Sequence, residues 1–417
     1  MRTRGRPIKP SISYRTVVRS FSPYWYWPIG RRSKRAVRRD RARGRGGFSM
    51  SSLRSVPRVS ASATFSDYAV TTATRLLGGA GVDVEQGTRV LRRMLSPWGA
   101  RQIGTRPGWH SDVCADGSPI EFSAAFSQEG LQIRVLVEAL PERLGTSSAQ
   151  EAALGLTRGL TRDFGADDNR LAEVSDLFLP DENPTGFAMM HAAALAPTGG
   201  PAFKVYLNPR ANEGMTAVER THEALDRLGF GKAWPAVGEY AGRGFDLDRI
   251  VYFGLDLLDG PESRVKVYFR HYDVSPAELD ARMEISHQHE AGFLGDFCRR
   301  LTGSDSAVRP QPLVSNLTFT TAGGHVPVSA TLYVPLWLHT ASDRIIRDRI
   351  SSVMADMGLP VRDYQSLLDQ VARRPLSAGR GIHTYASARV QRGRPRLTTY
   401  WSPELYDRYP PARYQRG

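Results

Sequence analysis

Basic and phenolic side chains alternate with aliphatic ones along several short segments of the sequence. In the clearest segment Arg264, Lys266 and Tyr268 occupy every second position, and valines lie between them. Alternate side chains of an extended strand share one face, so the polar groups point one way and the aliphatic groups the other. Related patterns include Lys204 with Tyr206, Thr331 with Tyr333, Arg396 with Thr398 and Tyr400, and Gln132 with Arg134 and Leu136.

Several cations gathered in one cavity would require an anionic guest, because buried cations repel one another and are poorly solvated. Arginine binds phosphate oxygens in a bidentate manner and lysine acts as a point charge, which indicates a phosphate or diphosphate. Tyrosine rings can stabilise a cation. The combination suits cleavage of an allylic diphosphate, in which the basic groups hold the leaving diphosphate and aromatic walls shield the carbocation from water.

Other phosphate and metal chemistry has little support. The sequence contains no G-x-x-x-x-G-K-[ST] loop, and Gly78–Gly81 does not form G-x-G-x-x-G after a strand. No DDxxD motif is present, since Asp167 and Asp168 are followed by Asn169 and Arg170. We therefore expect no required cofactor and no metal site, and we expect the basic side chains to take the electrostatic role of a metal.

An internal repeat supplies the strands that would position these residues. Five times, an extended run is followed by a glycine-containing turn and a second extended run, which is typical of a β-hairpin. A tyrosine lies late in four of the returning runs, at separations of 62, 65 and 67 residues. The predicted pairs are Pro119–Ser127 with Leu131–Glu138, Gly186–Ala196 with Ala202–Asn208, Arg249–Leu257 with Ser263–Arg270, Leu313–Thr320 with Val326–Trp337, and Ile382–Val390 with Arg396–Trp401.

Stretches with helical spacing lie between the hairpins, for example Thr216–Leu228, Ile285–Leu301 and Ile345–Met357. Ten antiparallel strands would leave exposed edges in a flat sheet, whereas closure removes the edges. We predict an α+β fold, a closed ten-stranded antiparallel barrel with an outer ring of α-helices. The apolar faces would meet the helices and the polar faces would line the lumen. The alternative is a one-sided sheet whose charges face solvent.

The net charge of +14 arises at the start of the 417-residue chain. Residues 1–60 hold 17 Lys and Arg and one acidic residue, Asp40, which leaves 39 basic and 41 acidic residues in 61–417. The basic segment lacks periodicity, which predicts a disordered tail over residues 1–60 followed by a single barrel domain over residues 61–417. Such a tail could be a tether or a targeting arm; it could equally be an unselected extension, or sequence upstream of a translation start near Met50.

The composition, with 41% hydrophobic and 24% charged residues, is that of a globular protein. Apolar runs such as Leu332–Leu338 are far shorter than the ~20 residues of a membrane helix. The two cysteines, Cys114 and Cys298, cannot form a disulfide framework, so a cytoplasmic location is expected.

Two sets of motifs resemble the dimethylallyltryptophan synthase (DMATS) family of indole prenyltransferases, particularly its bacterial branch. One set is WG at 98–99, PGWHSD at 107–112 and DGSPIEFS at 116–123; the other is KVY at 204–206, RVKVY at 264–268 and Tyr333. The resemblance covers about residues 65–408 and implies the PT-barrel (ABBA) fold of repeated ααββ units. It also implies metal-independent transfer of a dimethylallyl group from dimethylallyl diphosphate, or of a longer prenyl group, to the indole of tryptophan or a tryptophan-derived small molecule, by a monomer or homodimer.

The resemblance implies roles for individual residues. Glu121 is similar to the family's glutamate that accepts the indole N–H. His191 lies 13 residues before Lys204, near the place where some relatives have a lysine proposed to deprotonate the ring, and is interpreted either as that base or as a buried core histidine. Thr331 stands where many relatives carry glutamine. The residues that match the diphosphate-binding and tyrosine-shield positions are Arg134, Lys204, Tyr206, Arg264, Lys266, Tyr268, Tyr333, Tyr385 and Tyr400.

Two other functions stay open at the level of sequence. Related PT barrels prenylate phenolic acceptors, and the pattern of polar faces does not name the ring. A protein that binds nucleic acid through its Arg-rich tail is less favoured, because residues 61–417 have slightly more acidic than basic groups.

Overall fold

The structure is a computed structural model that describes residues 59–406, apart from residues 97, 110, 142–145, 182–185, 307 and 309–311. In this part of the chain, five consecutive units each contain two α-helices followed by a β-hairpin. The strands are β1 Ile120–Ser127, β2 Gly130–Glu138, β3 Met189–Leu195, β4 Ala202–Leu207, β5 Asp248–Asp256, β6 Arg264–His271, β7 Leu313–Thr320, β8 Ser329–Pro335, β9 His383–Gln391 and β10 Arg394–Trp401. The helices are α1 Phe65–Gly79, α2 Val84–Leu95, α3 Thr146–Phe164, α4 Asn169–Phe178, α5 Ala217–Arg227, α6 Trp234–Tyr240, α7 Pro276–Arg282, α8 Phe293–Thr302, α9 Asp343–Asp356 and α10 Val361–Val371.

The ten strands form a closed antiparallel barrel. Each strand pairs with its neighbours along the chain, and β1 pairs with β10 to close the sheet. Closure satisfies the backbone groups that an open edge would expose. The predicted barrel of five hairpins is confirmed. The largest difference in strand length is in the fourth hairpin, where a 3₁₀ turn occupies Thr321–Gly323 and β8 begins only at Ser329.

Local signals explain where helices begin. Thr216 and Glu219 form a capping box at the start of α5, which agrees with the predicted helix. The predicted helix over Ile285–Leu301 is too long, because α8 begins only at Phe293. The residue before it, Gly292, has a φ of 82°, outside the helical region, and the Asp280 carboxylate accepts its backbone N–H at 2.7 Å.

The hydrophobic core lies between the outer face of the barrel and the helices. Phe253 of β5 stacks on Phe178 of α4 with 5.3 Å between ring centroids, and Phe269 of β6 contacts Tyr240 of α6 edge-on at 5.1 Å. Because these aromatic residues point outward, the residues that alternate with them along the strands line the lumen.

The predicted basic tail, residues 1–60, lies almost entirely outside the described residues. Its separation from a single barrel domain that begins at residue 61 therefore stays a proposal. Among the helices of the described part, none is both long enough and apolar enough to cross a membrane.

Candidate active site

The barrel lumen contains a cavity of about 540 Å³. Its lining combines cationic, phenolic and carboxylate groups with alanine side chains of β3. Eight of the residues predicted from the sequence line it: Glu121, Arg134, Lys204, Tyr206, Arg264, Lys266, Tyr333 and Tyr400. The polar strand faces thus point inward, as predicted, rather than toward solvent.

The cations of the cavity come from several strands. Besides Arg134, Lys204, Arg264 and Lys266, the cavity is lined by Arg396 of β10, whose strand pattern also indicated a lumen position, and by Arg389 of β9. Burial, followed by repulsion from Arg134, lowers the pKa of Arg396 to about 8; burial, followed by repulsion from Arg264 and Arg134, lowers the pKa of Arg389 to about 10. Burial and mutual repulsion therefore disfavour the positive charges of the cavity, which a bound anion would stabilise.

One carboxylate partly balances these cations. Asp256, at the end of β5, forms an ion pair with Arg264, in which Nε lies 2.5 Å from Oδ2. Burial lowers the pKa of Lys204 to about 7, although the charge of Asp256 opposes that shift. Burial likewise lowers the pKa of Lys266 well below its usual value, and the nearby Lys204 and Arg264 lower it further. The single negative charge of Asp256 therefore does not neutralise the cationic side chains that line the cavity.

Tyrosine rings form a continuous belt on the wall of the lumen. Tyr268 lies at the centre of the belt, with its ring centroid 5.6 Å from that of Tyr206 and 6.0 Å from those of Tyr252 and Tyr333. Tyr333 in turn lies 6.0 Å from Tyr400. The belt runs two residues beyond the lysines along β4 and β6, so an aromatic surface adjoins the cationic one. Ring faces of this kind can stabilise a carbocation.

Two predicted residues lie at the margin of this arrangement. Tyr268 belongs to the belt but does not border the cavity itself. Tyr385 of β9 is partly exposed, and Arg270, Tyr252 and Glu121 act on it electrostatically; desolvation raises its pKa well above the usual value. Tyr268, only 3% exposed, therefore supports the wall from behind, whereas Tyr385 keeps some exposed surface.

Glu121 is a second acidic residue that lines the cavity. It is the second residue of β1, and its carboxylate Oε2 accepts a hydrogen bond from Thr384 Oγ1 at 2.7 Å. Burial raises the pKa of Glu121 to about 8, and the Thr384 hydrogen bond opposes that rise. A buried carboxylate facing a cavity can accept an N–H from a bound molecule.

His191 does not reach the cavity, so its interpretation as a base is wrong. It lies on the outer face of β3, fully buried, and its Nε2 is 2.8 Å from the Thr157 hydroxyl in α3. Burial lowers its pKa to about 3, which keeps the ring neutral. The lumen face of β3 carries Ala192 and Ala194 instead. The second interpretation of His191, a buried core histidine, is therefore the one that the structure supports.

The sequence interpretation missed several lumen residues. Arg389 follows Tyr385 and Ser387 at alternate positions, so the alternation along the strand could have predicted that it faces the lumen. Asp256 and Arg264 flank the turn of the third hairpin, and the hairpin register could have paired them. Thr384 carried no such signal, because strict alternation would place it on the outer face with Ala386.

In the described part of the chain, no three His, Cys, Asp or Glu side chains come together in a way that could hold a metal ion. The cavity offers phosphate-binding cations instead.

The fold and this cavity together define a PT-barrel prenyltransferase. The family model for tryptophan dimethylallyltransferase matches residues 62–366, well over half of the chain. The protein belongs to the tryptophan dimethylallyltransferase family, which confirms the resemblance seen in the sequence.

Solved structures of the same fold agree with this assignment. A 6-dimethylallyltryptophan synthase from Micromonospora olivasterospora, solved in complex with DMASPP and Trp, is 31% identical, with a TM-score of 0.79 over 84% of this chain and 100% of that one. PriB, solved in a ternary complex with L-tryptophan and dimethylallyl thiolodiphosphate, is 30% identical, with a TM-score of 0.75 over 84% and 99%. A 5-dimethylallyltryptophan synthase from Streptomyces coelicolor is 29% identical, with a TM-score of 0.75 over 83% and 99%.

Proposed function

We propose that the protein transfers the dimethylallyl group of dimethylallyl diphosphate to the indole ring of tryptophan or of a tryptophan-derived small molecule. The observation that carries the proposal is the convergence of Arg134, Lys204, Arg264 and Lys266 beside a tyrosine belt, with Glu121 in the same cavity. Family membership supports it, as do the two related structures that hold tryptophan and a dimethylallyl diphosphate analogue.

In this mechanism the cations bind the diphosphate and stabilise the charge that develops on it as the carbon–oxygen bond breaks. The bonding electron pair leaves with the diphosphate, and an allyl cation remains. The tyrosine belt shields that cation from water and faces it with aromatic rings. The indole, held by its N–H at Glu121, attacks the cation through a ring carbon, and loss of the proton from that carbon restores aromaticity.

The reaction is proposed to need no metal or cofactor, because the lumen cations bind the leaving diphosphate directly. The same proposal places the enzyme in the reducing cytoplasm. The buried, unpaired state of Cys114 and Cys298 supports that location.

Product analysis by mass spectrometry tests this function. Purified protein is incubated with dimethylallyl or geranyl diphosphate and with tryptophan, a cyclic tryptophan dipeptide or a simple phenol, in buffer containing EDTA. We expect a prenylated indole, and we expect tryptophan to outcompete the phenol when both are present. A product that forms only with the phenol, or only after magnesium is added, would contradict the acceptor or the metal-independent mechanism respectively.

Diphosphate binding should take up protons at pH 8. Burial lowers the pKa of Lys204 to about 7, so its amine is mostly neutral at that pH, and a bound anion raises its pKa so that it becomes protonated. Affinity should accordingly fall as pH rises above 7. Calorimetric titration of inorganic pyrophosphate in buffers of different ionisation enthalpy measures the uptake. The Lys204→Met variant should take up fewer protons than wild type; equal uptake by the two proteins would contradict the assignment.

A further inference from the structure

The Glu121 carboxylate receives one hydrogen bond from the part of the chain that the structure describes. Thr384 Oγ1 donates it to Oε2 at 2.7 Å, although 263 residues separate the two positions. Both side chains are buried, with 6% of Glu121 and 3% of Thr384 exposed, and Glu121 borders the cavity. Its second oxygen, Oε1, is therefore left for a group bound in the cavity.

A β-bulge turns Thr384 toward Glu121. The register between β9 and β10 shifts between Thr399 and Trp401, so β9 holds one residue more than its partner there. Ser387 lines the cavity, and strict alternation from Ser387 would place Thr384 on the outer face. The extra residue reverses that orientation, as bulges beside functional sites commonly do.

The start of β9 is held from outside the barrel. His383 Nδ1 lies 2.9 Å from Asp343 Oδ1 in α9, and His383 Nε2 lies 2.9 Å from the Tyr364 hydroxyl in α10. Asp343 also accepts the backbone N–H of His383 at 3.0 Å and pairs with Arg374 at 2.6 Å. Helices α9 and α10 thus hold His383, the residue directly before Thr384. These contacts fix the backbone at the start of the bulge.

We propose that Thr384 is a positioning residue for the acceptor: its hydrogen bond orients Glu121 and favours its ionised form, so that Oε1 accepts the indole N–H. The inference rests on the proposed function. Burial raises the pKa of Glu121 to about 8, and a donor on one oxygen favours the charged form against that burial.

Within the described part of the chain, the Thr384 hydrogen bond is what lowers the pKa of Glu121 against its burial. The titratable groups that interact with Glu121 from neighbouring elements are Cys114 before β1, Tyr206 on β4, Tyr252 on β5 and Tyr385 on β9. Burial raises the pKa of every one of them, so all four are neutral at pH 7. Among the described residues, Thr384 is thus the group that stabilises the carboxylate.

The test compares Thr384→Val, which removes the donor and keeps the shape, with Thr384→Ser, which keeps the donor. At pH 7 we expect Thr384→Val to raise KM for tryptophan about tenfold while kcat changes less than about threefold. Protonated Glu121 cannot accept the N–H, so kcat/KM rises with pH through the pKa of Glu121. Thr384→Val raises that pKa, which should shift the rise upward by about one pH unit. Thr384→Ser should restore both values.

The matched control is Thr399→Val. Thr399 is fully buried on the outer face of the adjacent strand, and its hydroxyl has no hydrogen-bond partner among the described residues, so the substitution should leave KM and the pH profile unchanged. In a Glu121→Gln background, Thr384→Val should have no further effect on KM, whereas a purely structural role would lower activity in both backgrounds. Melting temperatures identify any variant that fails to fold, and Thr384→Ala then replaces Thr384→Val.

Two failures are distinguishable. A wild-type protein that prenylates no indole would overturn the proposed function and this inference with it. An active wild type whose folded Thr384→Val variant keeps the wild-type KM and pH profile would overturn the positioning role alone.

Discussion

Replacing Lys266 by alanine is expected to lower kcat for prenyl transfer by about a thousandfold, the upper range for removing one group that stabilises transition-state charge. Only 2% of Lys266 is exposed, and the positive charges of Lys204 and Arg264 act on it at close range. The charge on the leaving diphosphate grows as the carbon–oxygen bond breaks, and a desolvated ammonium stabilises that charge far more than one in water would.

The measurement is steady-state turnover of dimethylallyl diphosphate with tryptophan, together with the melting temperature. Lys266→Met serves as a second variant, because it keeps the volume of the stem and separates loss of charge from loss of packing. Lys232→Ala is the matched control, since Lys232 is exposed between α5 and α6. A folded Lys266→Met enzyme that kept more than a tenth of wild-type kcat would remove Lys266 from the diphosphate site.

Replacing Glu121 by alanine is expected to lower kcat/KM for tryptophan about a hundredfold, in line with losing a hydrogen bond to a charged group that also orients a reactant. The effect should fall on the acceptor alone. Inhibition by inorganic pyrophosphate should stay at the wild-type level, because the cations of the cavity remain in place. Loss of pyrophosphate inhibition in the same variant would show that the cavity had collapsed rather than lost its acceptor contact.

The pH profile adds an independent readout for Glu121. Since burial raises the pKa of its carboxyl to about 8, wild-type kcat/KM should rise with pH through that region as the carboxylate forms. Glu121→Gln cannot ionise and should lose the rise. Glu129→Ala, in the exposed turn of the same hairpin, should keep both the activity and the profile.

Much of the fold could be predicted because its cause is local. An alternation such as that of Arg264, Lys266 and Tyr268 is a property of the strand itself, and any regular strand with this pattern turns its polar groups to one side. Glycine turns and repeated spacing then supplied five hairpins, and the cost of unpaired edges favoured closure. The cationic strands of the cavity followed directly from that reasoning.

The site could be predicted only where the strands are regular. The lumen face of β3 carries alanines, so its apolar sequence could not show which way His191 points. At the start of β9 the bulge reverses the alternation, and Thr384 reaches Glu121 although neither residue indicates the other in the sequence. Asp256 was missed although it and Arg264 flank the turn of the same predicted hairpin.

The sequence by itself determined the barrel, the inward direction of the basic and phenolic groups, and the family to which the chain belongs. Tertiary structure alone decided that His191 packs against α3 and that Thr384 holds Glu121. The physical reason is that side-chain alternation is set by each strand separately. A bulge, an ion pair or a hydrogen bond between distant strands instead depends on which contacts the assembled sheet and its helices satisfy together.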